Sequence, residues 1–256
     1  MKLKLILFSV IYFTLNYSLK AQTNEKFSFV ALADMPYFLP KDYSHFEHLI
    51  EKINSEEHDF NVFLGDFKSS ATSCEDSIFL KIKNYFDLFE QPLIYTPGDN
   101  EWTDCKNNPE ERLEFIRTLF FDSKQLQINQ VELTSQSTIK GFEKFIENKS
   151  WFYKGIQFST FHIVGSNNNL SEKPNQSNKE FLERDSANIN WLKTTFENAV
   201  LNQSLGIILL THADMFTPDK GATGFDNFLK ELALLSETYK NQILLINGDS
   251  HKYLID

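Results

Sequence analysis

The chain has 256 residues, 41% hydrophobic and 23% charged, proportions that exclude a disordered or collagen-like protein. Its 25 Phe, 9 Tyr and 3 Trp are enough for a substantial core. A net charge of −10 argues against gripping nucleic acid through a basic surface, so no stable nucleic-acid partner is expected.

Lys2 and Lys4 precede an apolar run from Leu5 to Leu15, and Ser18-Leu19-Lys20-Ala21 closes the segment. This pattern predicts a signal peptide over residues 1–21 and one exported domain over 22–256, periplasmic or secreted. A membrane anchor is the alternative, but the run is short and Asn16 interrupts it. No Cys lies near the cut to take a lipid, and no later stretch is long enough to cross a bilayer, so no membrane partner is expected after cleavage. Export also bears on Cys74 and Cys105, which neither sit at zinc-ligand spacing nor pair with other cysteines. An oxidising compartment favours a disulfide between them over two buried free thiols.

In chain order, Phe27–Ala33 reads as a short strand ending at Asp34-Met35-Pro36. A helix is predicted over 42–53, with Phe46, Leu49, Ile50 and Ile53 on one face. Phe60–Leu64 is a buried-type strand broken by Gly65-Asp66; a helix over 78–89 follows, then a strand over 93–96 broken by Pro97-Gly98-Asp99. Pro109 opens a further helix to Phe120. Residues 121–150 read as a loop-rich insertion. A hairpin turning at Lys154-Gly155 joins strands over 151–153 and 156–164, and Asn167-Asn168-Asn169 ends that region. A long helix over 180–200, a strand over 206–210, a helix over 225–235 and a strand over 243–246 complete the pattern. The alternation of short apolar strands and helices predicts an α/β layered core.

Five strands end in ionisable residues: Asp34, Asp66, Asp99, His212, and Asp249 with His251. One such Asp is ordinary turn punctuation. Five at the carboxyl ends, where α/β sheets bind ligands, point to a site, and converging carboxylates call for bound cations.

The ordered series LADMPY, FLGDFKSS, TPGDNEW, LTHAD and INGDSHKY resembles the calcineurin-like metallophosphoesterase superfamily, across residues 27–253. That family carries D-x-H, G-D, G-N-H-D/E, a lone His and G-H-x-H in this order. The resemblance implies an α/β fold of the calcineurin-like type, a four-layer α/β/β/α sandwich. Because the family continues with further strands where this chain stops, a C-terminal truncation is expected. It also implies two divalent metal ions about 3.5–4 Å apart, hydrolysing a small-molecule phosphate mono- or diester with a metal-held hydroxide.

Carried over by position, Asp34 would bind the first metal and Asp66 would bridge both. Asp99 stands for the Asn ligand of the second metal, His212 for the lone His, and Asp249 and His251 for the two histidines of G-H-x-H. Pro36 replaces the histidine of D-x-H, and Asn100 replaces the proton-donating histidine. Four Asp ligands favour Mn, Mg or Ca over Zn, with Fe allowed. Lys68 is a candidate cation for the phosphate, as against a solvated loop lysine. Asn167 and Asn168 are candidate substrate donors, as against plain turn residues. Tyr37 and Trp102 are candidate pocket walls, and Glu101 a support for Asp99. His45, His48 and His58 read as surface residues, and His162 as a hydrogen-bonded core histidine close to the rim. A rival reading is a protein that binds a phosphorylated ligand through the metals without turning it over.

Overall fold

The computed structural model describes residues 25–121, 127–216 and 221–255. The signal-peptide expectation, residues 1–21, lies outside them. Strands β1 (Phe29–Leu32), β2 (Phe60–Leu64) and β3 (Leu93–Thr96) form a parallel sheet in that order. Helices α1 (Tyr43–Asn54), α2 (Asp76–Phe86) and α3 (Pro109–Phe120) connect and follow them.

A second sheet has the order β10-β9-β8-β7-β6. It comprises β6 (Thr134–Ser135), β7 (Lys149–Tyr153), β8 (Ile156–Phe161), β9 (Gly206–Thr211) and β10 (Gln242–Asn247). β8, β9 and β10 run parallel, while β7 pairs antiparallel with β8 across the Lys154-Gly155 turn. Both turn residues have positive φ, 44° and 89°, as a tight hairpin needs. A single turn, α4 (Gly165–Asn168), precedes α5 (Lys179–Leu201), and α6 (Asp226–Thr238) lies between β9 and β10.

Period-2 alternation explains the layering. Phe60, Val62 and Leu64 of β2 face the second sheet and pack with Ile94, Trp151, Phe158 and Leu210. Phe63 points the other way, into a layer built with Phe46 and Ile50 of α1, Phe79 and Phe86 of α2, and Ile116 of α3. Phe161, Ile207 and Leu209 cover the far face of the second sheet with Trp191, Leu192 and Phe196 of α5 and Phe228 of α6. The result is the expected helix–sheet–sheet–helix order.

The expected loop-rich insertion is more regular than its sequence suggests. It contains the hairpin β4 (Gln127–Ile128) and β5 (Val131–Glu132), then β6 and a 3-10 turn at Gln136–Thr138. Two-residue strands carry no readable periodicity; pairing makes them strands, β4 with β5 and β6 with β7. No helix among the described residues is long and apolar enough to cross a membrane.

Candidate metal centre

Each candidate ligand follows a strand at its carboxyl end: Asp34 after β1, Asp66 after β2, Asp99 after β3, His212 after β9, Asp249 and His251 after β10. Backbone bonds draw these ends together. Asp34 N donates to Gly65 O (3.0 Å) and Gly248 N to His212 O (2.9 Å), while Thr96 Oγ1 donates to Phe161 O (3.1 Å) from one sheet to the other. Asp34, Asp66, Asp249 and His251 adopt positive φ of 56°, 61°, 67° and 53°. Asp and His tolerate that region better than most residues, and such strain concentrates at functional sites. Glycine lets the two central turns touch: a Cβ on Gly98 would lie 2.2 Å from Asp66 Oδ1 and 2.6 Å from Asp66 N.

His212 is fully buried. Its Nδ1 lies 2.7 Å from Leu64 O, an acceptor only, so Nδ1 carries hydrogen and Nε2 turns to the carboxylates. Nε2 is 3.1 Å from Asp99 Oδ1, 3.5 Å from Asp66 Oδ1 and 4.0 Å from Asp249 Oδ1. Burial alone would push the imidazole down, but Asp66, Asp99 and Asp249 outweigh it and hold it well above its usual range. Burial pushes the Asp34 carboxyl up to about 6 and Asp66 well above the carboxylate range. It also raises Asp249. Against the same burial, the bonds from His212 and Ser166 keep Asp99 below its ordinary value.

Among the described residues, two groups bring three donor atoms within 4.8 Å of one another: Asp34, Asp66 and His251, and Asp66, Asp99 and His212. Asp66 belongs to both. Asp34 Oδ1 is buried without a hydrogen-bond partner. Crowded carboxyls, an unpartnered buried oxygen and one imidazole per group fit divalent cations bound mainly through oxygen. Asp249 stands beside the second group, its Oδ2 accepting from Asp214 N at 3.3 Å.

Residues 27–253 match the family described as calcineurin-like phosphoesterase. The chain belongs to that family. Comparison with curated proteins finds no match to it. Membership implies a hydrolase acting on phosphoester bonds of small substrates with divalent metals.

The remaining expected residues divide between the phosphoesterase site and its scaffold. Asn100 is buried; its backbone N donates to Asp66 Oδ1 (3.1 Å), and its amide donates to Asp66 Oδ2 and to Tyr37 Oη (3.3 Å). The Tyr37 ring meets the His251 ring edge-on, centroids 4.6 Å apart. Lys68 is fully buried, and its ammonium donates to Ser69 O (3.3 Å) and Thr72 O (3.2 Å). Burial lowers its pKa. Its hydrogen-bond partners are carbonyls of its own loop, so it braces that loop, a different arrangement from the phosphate-facing cation expected.

The asparagine amides are committed in the same way. Asn167 Oδ1 accepts from Thr223 N (2.9 Å) and Gly224 N (2.8 Å), and its Nδ2 donates to Leu170 O (3.0 Å). Asn168 is buried, accepting from Arg184 through Oδ1 and donating to Gly224 O (3.0 Å). The residue that does reach the site from this turn is Ser166, whose Oγ donates to Asp99 Oδ2 (2.9 Å). A serine in a polar turn beside three asparagines carries no sequence signal of its own.

Glu101 is buried, accepting from Phe67 N (3.3 Å) and Tyr95 Oη (3.2 Å), with Oε2 unpartnered. His162 is enclosed, its Nδ1 2.8 Å from Glu147 Oε1 and its ring 5.4 Å from that of Trp102. A disulfide joins Cys74 and Cys105, tying the loop after β2 to the one after β3.

Proposed function

We propose that this protein is an exported, dinuclear metal-dependent phosphoesterase acting on small phosphate mono- or diesters. The observation that carries the reading is Asp66, common to two separate three-donor groups, as a bridging carboxylate must be. Asp34, Asp66 and His251 would hold one ion; Asp66, Asp99 and His212, with Asp249 beside them, the other. This carboxylate-rich set favours Mn, Mg or Ca over Zn, with Fe allowed. The disulfide and the N-terminal segment over 1–21 support export.

When bound, the two cations supply Lewis acidity toward phosphoryl oxygens and neutralise the charge of an in-line displacement by water. The chain's own residues set the stage. Asn100, donating through its backbone N–H and its side-chain amide, fixes the rotation of Asp66. Tyr37 accepts from Asn100 and keeps its own O–H, held on by burial, to donate to a substrate oxygen. Asn100 has no proton to release near neutral pH, and His162 is sealed in the core. Neither residue can then supply an alkoxide leaving group with the general-acid help that typically contributes about 10²–10⁴-fold.

The test is hydrolysis of a series of aryl and alkyl phosphodiesters by EDTA-stripped protein reloaded with Mn²⁺. Rates should fall steeply as leaving-group pKa rises, and Asn100→His should flatten the slope. A flat slope in the unaltered protein, with unchanged rates in Asn100→Ala, would sink the assignment of Asn100. The engagement of Asn100 with Asp66 also favours a second reading, a phosphoryl-ligand binding protein. Metal-dependent binding of inorganic phosphate with no hydrolysis of any ester would select it.

A further inference from the structure

The turn α4 lies against the second donor group in an unusual shape. Ser166, Asn167, Asn168 and Asn169 all have positive φ, 51°, 58°, 52° and 60°. L-residues visit this region as single residues, Asn most readily, and a run of four is costly. Surrounding groups impose it. Fully buried Arg184 donates to Asn168 Oδ1 and to Asn168 O (3.0 Å), while its Nε donates to Glu180 (2.7 Å). Asn169 Nδ2 donates to Glu180 as well (2.8 Å), and Asn167 is pinned to Thr223 and Gly224. The backbone presses onto the carboxylates: a Cβ on Gly165 would lie 2.8 Å from Asp99 Oδ1 and 3.1 Å from Asp249 Oδ2.

What this turn delivers is one hydroxyl. Ser166 Oγ donates to Asp99 Oδ2, leaving Oδ1 to face His212 Nε2 at 3.1 Å. We propose that Ser166 is a positioning residue for the second metal position: its hydroxyl fixes the rotation of Asp99 so that Oδ1 is presented, with His212 Nε2 and Asp66, to one divalent cation. The inference rests on the dinuclear reading above and adds to it a residue outside the family's motifs. Hydrogen-bond partners of ligating carboxylates commonly set metal affinity, about 10–100-fold each.

Ser166→Gly separates positioning from mere structural support. Glycine relieves the positive φ, so metal-free Ser166→Gly should melt no lower than the unaltered protein, while losing the hydroxyl. Mn²⁺ is titrated calorimetrically into EDTA-stripped full-length protein, Ser166→Gly and Asp99→Asn. The event abolished by Asp99→Asn should weaken about 10–100-fold in Ser166→Gly, with the other event unchanged. Unchanged affinity at both positions overturns the inference while the dinuclear reading stands. So does equal weakening of both with a lower metal-free melting temperature, which marks general damage. Unaltered protein that takes up no Mn²⁺ overturns the dinuclear reading and the role of Ser166 together.

Discussion

The two donor groups share Asp66 and are otherwise built to different standards. Around Asp99 and His212 the ligating side chains are buried and each is held: Leu64 O sets the imidazole tautomer, Ser166 holds Asp99 from the rim, and buried Arg184 holds the turn that carries Ser166. Around Asp34 and His251 support is thin. The His251 side chain is 46% exposed and rests on the Tyr37 ring, and Pro36 stands where a family member has a further histidine. Preorganisation thus differs across a single shared carboxylate. Ligands already held by other partners lose little freedom on binding an ion, so the Asp99 side should fill first and the Asp34 side should depend more on metal concentration.

The largest effect should come from the residue common to both sides. Asp66→Asn keeps the size and halves the ligating oxygens, so elemental analysis should find neither ion retained after dialysis. Partners beyond the ligands themselves cost about 10–100-fold, and a bridging ligand should cost more, taking hydrolysis to background. Retention of one ion would show that one side stands alone and that Asp66 does not bridge.

Removing the disulfide tests the better-built side, because Cys74–Cys105 links the two loops that carry Asp66 and Asp99. Cys74→Ser with Cys105→Ser should cost about 3–4 kcal/mol in denaturant unfolding, on the chain-entropy view of a loop this long. It should weaken the Asp99-side ion more than the other. Equal weakening would place the difference between the sides elsewhere.

Most of this architecture is legible in the residues, and the reasons for the exceptions are physical. β2 and β3 start and stop where their apolar runs do, because Gly65-Asp66 and Pro97-Gly98 break them. α1 follows its 3.6 period, with Phe46, Ile50 and Ile53 buried. The strands β4 to β6 are made by pairing, which two residues cannot advertise. In the candidate site, residue type picked out the donor side chains that converge but not what each remaining polar side chain bonds to. Lys68, Asn167 and Asn168 are spent on carbonyls and turns, and only their partners reveal it. Ser166 shows the converse: its role comes from the shape of a turn that Arg184, on the next helix, imposes.

A third way to sharpen the contrast is pH. Burial raises the Asp34 carboxyl to about 6 from an ordinary 3.8 in the metal-free protein. A raised folded pKa contributes stability that is full below the unfolded value and lost as pH rises through the folded one. Metal-free protein should therefore lose stability relative to Asp34→Asn between about pH 4 and 6, by at most about 1.4 kcal/mol per pH unit. Saturating Mn²⁺ should abolish this loss and favour the unaltered protein over Asp34→Asn, since a cation replaces the proton on a carboxylate the variant lacks. A difference growing toward acid would contradict the sign.

The smallest effect should come from Tyr37, whose hydroxyl serves the shared ligand and whose ring serves one side. Its hydroxyl accepts from Asn100, which holds the shared Asp66, whereas its ring backs His251 on the exposed side. Tyr37→Phe keeps the ring and deletes one bond to a neutral partner, worth about 1 kcal/mol or less. Mn²⁺ affinity on the Asp34 side should then change by no more than about fivefold, given RT ln 5 near 1 kcal/mol. Tyr37→Ala also removes the ring, freeing the half-exposed imidazole to rotate. It should weaken the Asp34-side ion further and leave the Asp99-side ion as it is in Tyr37→Phe, because none of that group's bonds passes through the ring. Calorimetric Mn²⁺ titration of both variants reads this directly. Equal affinities in Tyr37→Phe and Tyr37→Ala would mean that the ring contact does not hold His251, and the thin support assigned to that side would be thinner still.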